Sequence, residues 1–148
     1  MGCDIHVYCE DRKSDGKWFG WDSEDLLSHR SYAVFGFLAG VRNYSAVTPI
    51  SLPRGIPADA SGYTREEWGG WRLGHSASWL TIEELLAFDY DAICEDRRVM
   101  RNGDGGCTCE PGDGRLMTYR EFLGRQFFAD LNQLRDDGVE RIVFWFDS

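Results

Sequence analysis

The chain has 148 residues, 43% of them hydrophobic and 14% aromatic, with a net charge of −9 and a pI near 4.7. Size and composition predict one folded domain, 1–148, with a real core. The acidic balance excludes general duplex nucleic acid binding, which needs basic residues facing phosphates, but leaves room for a small phosphorylated ligand held by a few arginines.

In chain order, residues 3–10 (CDIHVYCE) read as a strand, and DRKSDG then KWFGWD make it a hairpin. SYAVFGFLAGV (31–41) is apolar and free of proline, which predicts a helix despite two glycines. From 42 to 78 the prolines and glycines predict an irregular stretch long enough to be functional. Thr81 and Glu84 form a capping box that opens a helix to about Phe88. Residues 92–117 read as a hairpin or loop insertion; its cysteines and acidic residues are only faintly similar to zinc or calcium sites. Thr118 and Glu121 form a second capping box, followed by an apolar stripe from Tyr119 to Leu134 that Gly138 stops. RIVFWFD (141–147) closes the chain as a strand. The expected fold is α+β, with both terminal strands in one mixed or antiparallel sheet and helices packed on it. No apolar run approaches the roughly 20 residues that cross a bilayer. The N-terminus lacks a signal-peptide layout, so a cytoplasmic protein with reduced thiols is expected.

Side chains alternate along a strand, so Asp4 and His6 share one face, with Ile5 and Val7 on the other. A carboxylate beside an imidazole on a wet face is often mere solvation, but it is also what acid–base chemistry or metal binding needs. If the terminal strands pair antiparallel, Asp147 approaches Asp4. Arg30, Arg42 and Arg54 lie in or beside the first helix and its following loop, where their donor forks suit phosphate, or ordinary ion pairs with local carboxylates. In GHSASWL (74–80) an extended chain puts Ser76 and Ser78 on one face, and His75 becomes a partner for His6. Trp79 and Tyr44 are candidates for stacking a base, with core packing as the alternative. The expected catalytic set is Asp4, His6 and His75. The expected ligand contacts are Arg30, Tyr32, Arg42, Asn43, Tyr44, Arg54, Ser76, Ser78, Trp79 and Asp147. Asp4, His6 and Asp147 are the alternative as a divalent-metal set; no other cofactor is called for.

Known phosphate-loop, zincin and nucleophile-elbow motifs are missing. D-I-H is similar to the opening of calcineurin-like phosphoesterases, but their G-D and G-N-H-[DE] blocks are not present. MGCDIH, AGVRN, PRGIP, HSASWLTIEEL, TYREF and IVFWFD together resemble a widespread family of small tailed-phage proteins, over nearly the whole chain outside 92–117. The resemblance implies a phage origin and action in an infected bacterial cytoplasm, and supplies no reaction. Small acidic phage proteins of this kind are similar in type to those that disarm nucleotide-based immunity. Three functions follow as expectations. The first is a phosphodiesterase acting on a cyclic dinucleotide or cyclic ADP-ribose signal. The second is a sponge that sequesters that signal, a role in which further copies of the chain are a partner. The third is a structural or interaction protein of the phage.

Overall fold

The computed structural model describes residues 2–99 and 107–148. Its elements are β1 (Asp4–Arg12), β2 (Trp18–Asp22), α1 (Tyr32–Ala39), α2 (Gly62–Gly69), β3 (His75–Thr81), α3 (Ile82–Ala87), β4 (Ile93–Asp96), β5 (Arg115–Thr118), α4 (Tyr119–Leu123), α5 (Arg125–Asp136) and β6 (Arg141–Asp147). The fold is α+β. The chain forms two compact units, one of Met1–Arg30, Pro53–Ala87 and Ala129–Ser148, the other of Ser31–Leu52 and Phe88–Phe128.

The first unit is built on a four-stranded antiparallel sheet in the order β2-β1-β6-β3. The two terminal strands are therefore its central pair, with Asp4 opposite Asp147 and Glu10 opposite Arg141. Their apolar residues explain the position: Ile142, Val143, Phe144, Trp145 and Phe146 are all fully buried, as a strand covered on both faces requires. The Thr81–Glu84 capping box closes in both directions, at 2.7 and 3.1 Å, and starts α3.

One expectation needs correction here. Residues 42–78 are not structureless. They hold α2 and the first part of β3. The sequence of α2, GYTREEWG, shows little apolar periodicity because only Thr64 is buried; the helix is held instead by its N-cap. Ser61 Oγ accepts from Thr64 N at 3.1 Å, and the fully buried Glu10 carboxylate accepts from Ser61 N and Thr64 Oγ1 at 2.7 Å each. Gly20 of β2 lies so close under this cap that a Cβ there would stand 2.5 Å from Ser61 Oγ.

The second unit contains α1, buried along its whole length and ended by Gly40 at φ 71°, and the antiparallel β4–β5 hairpin. Residues 100–106, part of the expected 92–117 insertion and its cysteine loop, lie outside the described residues. The helix expected to run from Thr118 to Gly138 is two helices. Thr118 caps α4, accepting from Glu121 N at 3.1 Å, but Gly124 adopts φ 87° and breaks the helix before α5 begins. Only a residue without a Cβ takes that conformation readily.

Candidate functional site

Cross-strand neighbours share a face, so the register gathers His6, Tyr8 and Glu10 of β1 with Arg141, Val143, Trp145 and Asp147 of β6. At the chain-end edge of this face His6 Nε2 lies 2.9 Å from Asp147 Oδ1, with the two side chains 23% and 33% exposed. The His6 ring is stacked on Trp71 at 3.8 Å between centroids. An aromatic wall continues from there. Trp145 stacks on Tyr8 at 4.7 Å and meets the edge of Trp68 at 5.1 Å. Trp68, Trp71, Trp79 and Ile56 are half-buried around the buried cluster of Tyr8, Ala77, Val143 and Trp145. Gly74 permits this packing, since a Cβ there would stand 2.8 Å from Trp68 Cζ3.

The polar atoms of this face are unequally served. Tyr8 donates a long bond of 3.5 Å to Glu67; burial, then the Glu67 charge, push its phenol up to about 12. Trp145 is fully buried, and its Nε1–H has no hydrogen-bond partner among the described residues. An ionised carboxylate only accepts, so Asp147 fixes the proton of neutral His6 on Nε2 and leaves the Nδ1 lone pair as a base. This arrangement is a His–Asp dyad, able to take up and return a proton.

Of the expected site residues, the structure brings His6 and Asp147 together and sets Asp4 opposite Asp147. It does not bring His75 to them. His75 pairs with Phe146, which pairs with Ile5, so it stands on the opposite face and stacks on Phe146 at 6.2 Å. The cause is a bulge between His75 and Ser78: Ser76 takes φ 55° and breaks the alternation that would otherwise put His75 on the side of Ala77 and Trp79. The same bulge parts Ser76 from Ser78. Ser76 bonds His75 Nδ1 at 3.0 Å, and buried Ser78 accepts from Arg54 N at 3.0 Å, so both hydroxyls are engaged within the fold.

The arginines are likewise engaged. Arg30 bonds Asp4 at 2.9 Å, which turns that carboxylate away from a metal role. Among the described residues no three His, Cys, Asp or Glu side chains gather as a metal site, so Asp4, His6 and Asp147 do not form one. Arg54 is bidentate to Glu84 at 2.7 and 2.8 Å and lies over Trp79 at 4.8 Å. With Arg141 also 5.8 Å from the same ring, Trp79 is a partner for guanidinium rather than for a base. Tyr32, Arg42, Asn43 and Tyr44 belong to the second unit. There Arg42 lies over Tyr32 at 5.5 Å and donates to Tyr44 Oη at 3.3 Å. Asn43 clamps the backbone of Val47 through both amide atoms, at 2.7 and 3.1 Å.

The sequence reading missed Trp68, Trp71, Tyr8 and Trp145 as the walls of the site. WGGW at 68–71, a glycine pair between tryptophans just before GHSASW, was the available signal. Comparison with known proteins finds no matching family model, and neither curated sequences nor solved structures give a match.

Proposed function

We propose that the protein binds a small nucleotide signal, of the cyclic dinucleotide or cyclic ADP-ribose type, and cleaves its phosphodiester or pyrophosphate linkage. The observation that carries this reading is the His6 Nε2–Asp147 Oδ1 contact of 2.9 Å in a partly exposed setting beside Trp71 and Trp68. In this mechanism Nδ1 of His6 takes the proton of the attacking water as its oxygen bonds phosphorus. The P–O bond to the leaving group breaks, and the imidazolium, stabilised by Asp147, returns the proton to the leaving oxygen. The aromatic wall supplies the surface on which a base stacks. The biological setting, counter-defence by a phage in its host's cytoplasm, rests on the sequence resemblance alone.

Sequestration without turnover is the second reading. One observation favours it: His75 stands on the far face and does not join His6, and a sponge needs no such pair. Incubating the protein with cyclic dinucleotides and cyclic ADP-ribose derivatives separates the readings by chromatography. New products mark the enzyme; intact ligand released only by heating marks the sponge. An unchanged, unbound panel refutes both.

A further inference from the structure

The arginines of the first unit follow one pattern: each guanidinium meets a carboxylate or a carbonyl, as with Arg12–Glu140, Arg30–Asp4, Arg54–Glu84 and Arg141–Glu10. Arg72 departs from it. It is exposed, and among the described residues it has no hydrogen bond, ion pair or ring contact, although the chain carries a net charge of −9. Its position is set tightly. Trp71 N donates to Trp68 O at 3.0 Å and Gly74 N to Trp71 O at 3.1 Å, so Arg72 stands at the crest of a turn directly after the ring that stacks on His6. A second donor of the same aromatic cluster, the buried Nε1–H of Trp145, is also unmatched by the fold. Trp145 Nε1 is closed to solvent, so the donor open to a ligand is Arg72: an exposed, unpaired guanidinium next to the ring that stacks on His6 fits a ligand that brings an anionic acceptor to it.

We infer that Arg72 is the phosphate contact of the His6 site, and that the ligand is a nucleotide whose phosphate reaches Arg72 while its base lies against the Trp68–Trp71 wall. This deepens the function proposed above and rests on it. It also replaces the expected clamp of Arg30, Arg42 and Arg54 with a single arginine that no carboxylate neutralises.

The test is calorimetric titration of the whole protein with ADP-ribose and with a cyclic dinucleotide, for wild type, Arg72→Gln and Arg125→Gln. Arg125 is an exposed arginine of the other unit and controls for the loss of one charge. Loss of one charge-assisted contact predicts about 10- to 100-fold weaker binding for Arg72→Gln, with a shallower dependence on salt. Arg125→Gln is expected to bind as wild type does. Equal affinity of Arg72→Gln and wild type overturns the inference and leaves the nucleotide-binding reading standing. An equal loss in both variants also overturns it, since the effect is then general charge. Failure of wild type to bind either probe overturns both.

Discussion

Glu10 and Arg141 face each other across the central strand pair and form an ion pair at 2.7 Å, with side chains 0% and 4% exposed. Neither is left with the other alone. Arg141 also bonds Asp59 at 2.9 Å and lies 3.5 Å over Trp18, while Glu10 anchors the N-cap of α2. A buried pair is tolerable only when its remaining donors and acceptors are met, which these contacts do.

Removing one partner should therefore be costly. Arg141→Met leaves a carboxylate buried beside only the Ser61 and Thr64 donors, and is expected to destabilise the protein by about 3–5 kcal/mol. Urea denaturation of the variant against wild type measures it. A loss under 1 kcal/mol would refute the cost assigned to the unpaired carboxylate.

Gly20→Ala probes the same cap from the other side. The added methyl meets Ser61 Oγ at 2.5 Å and Thr64 Oγ1 at 2.8 Å, and overpacking of this order costs about 1–3 kcal/mol. Thermal melting should fall, and Gly20→Ala with Ser61→Gly should recover part of the loss.

The dyad is tested by separating its members. If the protein turns over its ligand, His6→Asn should slow the reaction by about 10²–10⁴ while affinity changes little. Asp147→Asn should also slow it, because the amide no longer fixes the tautomer. Single-turnover rates at saturating ligand give the comparison. Wild-type rates in His6→Asn would remove His6 from the chemistry.

Glu84 gives a pH signature. The hydrogen bond from Arg54 leads the causes that hold its carboxyl below the usual range. A group with a lowered folded-state pKa stabilises above its unfolded value and loses that contribution as pH falls through the folded one. The gap in melting temperature between wild type and Glu84→Gln should thus be full near neutrality and close below the ordinary carboxylate range.

Thiol reactivity should separate the cysteines. Cys107 is exposed, whereas Cys9 and Cys94 are buried and burial leads the causes that push them up to about 12 and about 11. With a disulfide reagent at pH 8, Cys107 should react first and Cys9 and Cys94 only on unfolding, as read by peptide mass mapping.

What the sequence made legible was whatever local chemistry decides. The capping box at Thr81–Glu84 and the cap at Thr118 act over three residues, and the runs CDIHVYCE and RIVFWFD leave little choice but strand. Asp4 and His6 share a face because alternation is a property of the strand itself. The misread parts depend on partners distant in the chain. Helix α2 exists because Glu10, far upstream, accepts from its first turn. His75 lies on the wrong face for the expected site because one serine takes a left-handed conformation. Ion pairing of Arg30 and Arg54 with Asp4 and Glu84 follows from tertiary placement that no local pattern of arginines encodes.

The pairing of β1 with β6 also dictates when the sheet is able to form. β1 (Asp4–Arg12) and β6 (Arg141–Asp147) are separated by most of the described residues, so a ribosome releases β1 well before its main partner. Until Arg141–Asp147 leaves the exit tunnel, β1 has only β2 to pair with, and a lone hairpin is marginal in water. Folding of this unit then waits on long-range contact formation, which is slow for its size. During that wait, the unpaired backbone edge of β1 is open to pairing with a neighbouring chain.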